Sequence, residues 1–196
     1  MDEQLQQNRE AWLYRAALFL FEHMQRCGLS PVPVRVSCGW PVSGGGGQKN
    51  VTIGQCFAPT VCADGVSQVF ISPRIADSVE VLGVLLHELI HASFGNKFGH
   101  KKPFSQAAKK VGLAGPPTAT VVGPELLPLL QDYVSRVGTY PHAAIVPMVK
   151  EKTPGSRLRL YECTCDPPIK VRVASDELDA SCNRCGASFS KVEKAE

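Results

Sequence analysis

His87-Glu88-Leu89-Ile90-His91 sets two imidazoles four residues apart, with a carboxylate directly after the first. On an α-helix, positions four apart differ by about 40° around the axis, so His87 and His91 face one way and can share a metal ion. Glu88 lies about 60–100° further round. From there it can reach a water beside the ion without ligating it, the arrangement of a general base in metal-assisted hydrolysis. A catalytic zinc usually takes three protein ligands and keeps a fourth position for water. Gly95-Asn96-Lys97-Phe98-Gly99-His100 offers the third, because two glycines let the chain turn back and bring His100 round. Three of the five histidines thus fall between positions 87 and 100. Glu125 and Asp132 are rival third ligands. Glu125 already has a sufficient role in the first turn of a helix, where a carboxylate favours the dipole.

A second constellation closes the chain. Cys163-Thr164-Cys165 and, sixteen residues on, Cys182-Asn183-Arg184-Cys185-Gly186 form two close thiol pairs. Such pairs at this separation can close a tetrahedral four-cysteine zinc site, with Gly186 permitting the tight turn. Four protein ligands leave no open position, so this zinc would be structural. A module of this size buries too little core to be stable unaided, and metal binding would provide its folding energy. Two Zn2+ ions are therefore expected. Cys27, Cys38, Cys56 and Cys62 show no ligand spacing and read as buried thiols.

The elements that must position these groups follow from periodicity. Leu13, Ala16, Ala17, Leu20 and Met24 keep helical spacing, predicting a first amphipathic helix that ends near Gly28. Val32 to Val36, Val51 to Phe57 and Val66 to Ile71 read as three short strands, the first an edge because of Pro33. Asp77-Ser78-Val79-Glu80 provides an N-cap for the metal helix, which is apolar nearly all round and should be buried. A further helix starts at Pro103 and ends near Gly112 or Gly115. Another runs from about Pro124 to Val137 and stops at Gly138. Ile169 to Val173 alternates as a strand between the thiol pairs. The expected fold is α+β: a metallopeptidase domain at 1–138, helices around a sheet of about three strands; a Pro-rich linker at 139–159; and a zinc ribbon at 160–196. Tyr140 and His142, at the start of the linker, are candidates to stabilise an oxyanion, with ordinary packing as their simpler role.

Composition excludes several classes. The chain has 196 residues, 44% of them apolar, enough for a real core. The start Met1-Asp2-Glu3-Gln4 is acidic, and the apolar stretch from Ala11 to Phe21 is broken by Arg15, so neither a signal peptide nor a membrane span is expected. A cytoplasmic, reducing compartment follows as an expectation, and with it metal binding or burial for the eight cysteines. Ser43-Gly44-Gly45-Gly46-Gly47-Gln48 lacks the Gly-Lys-Ser/Thr ending of a phosphate-binding loop and reads as a flexible connection. Net charge is only +3, but no carboxylate occurs between Glu88 and Glu125, while Lys97, Lys101, Lys102, Lys109 and Lys110 all do. A one-sign field of this kind attracts anions such as nucleic acid; it equally fits a solvated helix face. Lys170, Arg172 and Arg184 would extend it onto the ribbon.

Taken together, the HExxH helix, Gly99-His100 with Phe104 four residues on, and the C-terminal Cys-x-Cys and Cys-x-x-Cys pairs resemble the SprT-like zinc metallopeptidases, which include Spartan-related members. The likeness runs from about Leu13 to Val192 and is strongest to compact phage and bacterial forms, some of them described as transcription elongation proteins. It implies a zincin-like fold, zinc on His87, His91 and His100, and Glu88 as catalytic base. It also implies a protein substrate associated with DNA, single-stranded or damaged, in a bacterial or phage-infected cell. His91 and His100 stand closer together than in longer members. The alternative is a non-catalytic zinc-ribbon protein that binds nucleic acid or the transcription machinery and uses the metallopeptidase-like part as a scaffold. The intact Glu88 favours the enzyme, since a scaffold needs ligands but no base.

Overall fold

Trp12, Leu13, Ala16, Ala17, Leu20 and Met24 are all buried along one stripe of helix α1 (Arg9–Arg26), as their spacing requires. Asn8 caps its start by accepting from the Ala11 amide at 2.7 Å. Gly28, at φ 72°, ends it: the Leu29 amide reaches the Met24 carbonyl and the Gly28 amide that of Gln25. The computed structural model describes residues 8–42, 51–146 and 158–193. The glycine-rich segment read as a flexible connection, Ser43 to Gln48, and the later part of the linker, 147–157, lie outside the described residues.

The chain divides into two compact units, Met1–Pro147 and Met148–Glu196. The first is α+β. Strands β1 (Val34–Cys38), β2 (Gly54–Phe57) and β3 (Ser67–Ile71) form one sheet in the order β1-β3-β2, with β1 parallel to β3 and β2 antiparallel to it. Both β1 and β2 are therefore edges. Helix α2 (Ser78–Ser93) packs on β2 and β3 and touches α1, α3 (Lys102–Lys110) and α4 (Leu127–Val137). Its apolar circumference is thus filled: Val81, Leu82, Leu85, Leu86, Leu89 and Ile90 are each at most 1% exposed. Asp77 caps α2, accepting from the Glu80 amide at 2.8 Å.

Two short strands with no counterpart among the sequence-based expectations, β4 (Leu113–Ala114) and β5 (Val121–Val122), pair as a hairpin whose second strand packs on α2. Val122 packs against Gly83 of α2 so closely that a Cβ there would lie 2.7 Å from its Cγ2. α4 starts at Leu127, later than expected, with Pro128 in its first turn. Glu125 accordingly sits exposed in the turn before the helix, not in its first turn, because the Leu126 and Leu127 amides both bond back to the Gly123 carbonyl. Residues 139–146, placed in the linker by their composition, lie on the first unit. The Tyr140 amide donates to Ser78 Oγ at 2.9 Å, and the Ile145 amide to the Pro73 carbonyl at 2.8 Å.

The second unit is a three-stranded sheet, β7-β6-β8, built from β6 (Arg159–Glu162), β7 (Lys170–Val173) and β8 (Ser190–Lys191), all antiparallel. Among its described residues only Tyr161, Cys163 and Cys182 are buried. Asp176 ties the sheet together, bonding Arg159 at 2.7 Å and Lys191 at 3.2 Å. Among the described residues no helix is long and apolar enough to cross a membrane.

Candidate metal centres and cleft

His87 and His91 lie one turn apart on α2, and the turn after the helix delivers His100 to the same point. That return depends on left-handed backbone at Gly95 (φ 58°), Asn96 (φ 57°) and Gly99 (φ 50°). The three Nε2 atoms stand 3.1, 3.1 and 3.2 Å from one another. Nitrogens on a tetrahedral zinc at about 2.0–2.1 Å would be about 3.3 Å apart, so this triangle is the face of such a site to within a few tenths of an ångström. The rings are held from behind. Phe104, 1% exposed, stacks on His91 with centroids 4.3 Å apart and contacts His87 and His100 at 4.7 and 5.1 Å. His87 Nδ1 bonds Thr120 Oγ1 at 2.8 Å, which orients the ring and leaves Nε2 to face its two neighbours.

Burial, reinforced by the adjacent imidazoles, lowers His87 to about 3 and His91 to about 4, and burial lowers His100 as well. Burial thus favours the neutral imidazole at each of the three, the form that can ligate a metal ion. The donor set and its spacing fit zinc. Glu88 is 6% exposed and stands outside the histidine cluster; burial pushes its carboxyl up to about 8, and a nearby cation acts in the opposite direction. Its carboxylate lies against the backbone of Gly54 in β2, where an added Cβ would stand 2.6 Å from Oε1. The side chain is therefore pinned between α2 and the edge strand.

These groups open on a cleft of about 690 Å³, walled on one side by 51–56 and on the other by α2, His100, Asn96 and the 118–120 turn. Main-chain groups of β2 line its wall. The Ser72 amide bonds the Ile53 carbonyl, so Ile53, Gln55 and Phe57 face β3, and Gly54 and Cys56 point their N–H and C=O groups to the outer edge. The Gly39 amide, bonding the Ile71 carbonyl on the opposite side of β3, agrees with this phase.

The rival ligands are elsewhere in use or exposed: Asp132 pairs with Arg136 at 2.9 Å, and Glu125 is an exposed turn residue. Tyr140 and His142 do not line the cleft. Tyr140 packs on Trp12 at 5.1 Å, and His142 bonds the Pro73 carbonyl at 2.8 Å, so both serve packing. Thr120, Gly54 and Asn96 were not singled out in the sequence. Thr120 reaches His87 only because β4 and β5 pair, and strands of two residues leave no periodicity to read. Replacing Thr120 with valine keeps the shape and removes the bond. Zinc affinity at the histidine triangle is expected to fall about 10- to 100-fold, measured by chelator competition.

In the second unit the four Sγ atoms of Cys163, Cys165, Cys182 and Cys185 lie within 4.8 Å of one another, with Cys165 and Cys182 3.9 Å apart. Sulfurs on a tetrahedral zinc at about 2.3 Å would be about 3.8 Å apart. Backbone turns present them: the Gly186 amide bonds the Cys182 carbonyl at 2.7 Å, with Gly186 at φ 73°, and the Ile169 amide donates to Cys163 Sγ at 3.3 Å. The amide of Ala187, with help from the Thr164 hydroxyl, holds Cys185 down to about 6, while its bond to Cys185 pushes Cys165 up to about 12. Four sulfurs this close form a donor set that could hold one metal ion, which would take them as thiolates.

Lys97, Lys101, Lys102, Lys109 and Lys110 are all exposed and form no ion pair among the described residues. In the second unit, Lys170 pairs with Glu162 at 3.9 Å, whereas Arg172 and Arg184 are exposed. Comparison of the chain with protein-family models, with curated proteins and with solved structures gives no match.

Proposed function

We propose that the chain is a zinc-dependent endopeptidase of SprT-like type that acts on proteins associated with DNA. One observation carries this reading: three convergent Nε2 atoms at 3.1–3.2 Å share a cleft with a buried carboxylate that is not one of the ligand set. A purely structural site would need neither an accessible cleft nor Glu88, which costs several kcal/mol to bury without a task or partner.

Zinc held by His87, His91 and His100 would supply Lewis acidity, polarising a substrate carbonyl and acidifying water at the open position. The protein's own groups do the rest. The Glu88 carboxylate takes a proton from the attacking water and passes it to the leaving amine nitrogen, general base first and general acid second. Gly54 holds Glu88 in place by leaving no other room on that side. The outward N–H and C=O of Gly54 and the N–H of Cys56 pair with an extended substrate backbone, so recognition depends on an unfolded or looped segment more than on one side chain. The four-cysteine module is a structural zinc ribbon.

The DNA association rests on the family resemblance and on the five exposed lysines, which form no ion pair among the described residues. Its test is cleavage of casein, and of a DNA-bound protein, by the zinc-loaded chain with and without single-stranded DNA. Cleavage should be faster on the DNA-bound protein when DNA is present. A variant with Lys101, Lys102, Lys109 and Lys110 replaced by alanine should lose that advantage. It should also bind DNA with a shallower salt dependence, by about 0.7 in logarithmic slope per phosphate contact removed. Equal, salt-independent binding by both proteins would remove DNA from the proposal and leave a zinc peptidase.

A further inference from the structure

Asn96 combines three features. It sits at φ 57°, a left-handed conformation that side chains other than Asn and Asp adopt rarely. Its backbone amide bonds the His91 carbonyl at 2.8 Å, closing α2, a task glycine performs equally well. Its side chain does something separate: Nδ2 reaches across to the Cys56 carbonyl at 3.1 Å. That carbonyl belongs to the outer edge of β2, the edge that walls the cleft, and Asn96 lines the cleft beside it. Of the outward groups on β2, the Gly54 N–H, the Gly54 C=O and the Cys56 N–H have no partner among the described residues, while the Cys56 C=O already accepts one hydrogen bond.

We infer that Asn96 is a positioning residue that ends substrate pairing along β2 at Cys56 and so fixes the register of the bound peptide. The inference rests on the peptidase reading and deepens it. A strand added to this edge exchanges two hydrogen bonds with Gly54 and finds only a donor at Cys56. A slip of two residues toward Phe57 would keep the same side-chain faces and move the peptide by about 7 Å, past Glu88. The side-chain pattern alone cannot forbid that slip. The carboxamide disfavours it by taking one lone pair of the Cys56 oxygen and standing, 3.1 Å away, on the outer side from which the slipped strand would approach. Because Glu88 lies against Gly54, the register centred on Gly54 sets a peptide carbonyl next to the base.

The test uses the full zinc-loaded chain carrying Glu88→Gln, with a casein-derived peptide isotope-labelled at its backbone amides. Hydrogen exchange of the peptide amides is followed by NMR in this background and with Asn96→Gly added, which keeps the left-handed backbone and removes only the carboxamide. Asn96→Asp, which keeps the shape but cannot donate, serves as the second variant, and thermal unfolding with zinc content checks that each has folded. Both variants are expected to protect at least one further peptide amide, and in the Glu88 background to add a second cleavage site two residues from the first. Identical protection patterns in all three proteins, or no protected peptide amide in any, would overturn the inference. The expected protection pattern in a chain that cleaves nothing would instead leave the register stop standing and remove the enzyme.

Discussion

Replacing Glu88 with glutamine is expected to leave the zinc content unchanged and to lower the cleavage rate by at least about 10²-fold, the lower end for removal of a general base. The substitution conserves volume, which matters because the side chain is 6% exposed and wedged against Gly54. It should neither open a cavity nor disturb the three imidazoles, whose positions depend on Phe104 and Thr120. What disappears is the capacity to accept a proton. Equal rates for the two proteins on a DNA-bound substrate would mean that the proton goes elsewhere and that Glu88 is buried for another reason. Loss of zinc together with activity would make Glu88 a ligand.

Replacing Cys182 with serine should abolish the folded state of the ribbon while leaving the histidine centre loaded. With Tyr161, Cys163 and Cys182 as the only buried residues described there, the module has little apolar burial to set against the cost of ordering its backbone. Structural zinc, whose apparent binding free energy is about 10–16 kcal/mol, stabilises such a module far more than three buried side chains can. The expected result is loss of dispersed amide signals from 160–193, proteolytic sensitivity of that region, and a fall of one zinc per chain. A ribbon that stayed folded with one ligand missing would show that its sheet and the Asp176 ion pairs carry it alone.

Both clusters of candidate ligands were legible in the sequence because each depends on local spacing. His87 and His91 share a face whenever the segment is helical, and the apolar run around them makes it so. Cys163 with Cys165 and Cys182 with Cys185 are pairs within single turns. The four helices were equally legible, since caps such as Asp77 and stops such as Gly28 and Gly138 act over a few residues. Long-range pairing was not. The parallel alignment of β1 with β3, which makes β2 an edge and thereby a wall of the cleft, has no local signature. Nor do the Thr120 contact, made through a hairpin of two-residue strands, or the contact of Gly54 with Glu88 across 34 positions. The misplacement of Glu125 has a simple origin. A helix from about Pro124 puts the acid in its first turn, but the Gly123 carbonyl captures the Leu126 and Leu127 amides and delays the helix to Leu127.

The central claim is that His87, His91 and His100 hold a zinc ion beside Glu88, and the most direct measurement is zinc content per chain in His100→Ala set against Glu125→Ala and the unaltered protein. The two clusters give an expectation of two zinc ions in the unaltered protein and in Glu125→Ala, and of one, on the ribbon thiols, in His100→Ala. One zinc in the unaltered protein, or loss of zinc from Glu125→Ala but not from His100→Ala, would contradict it.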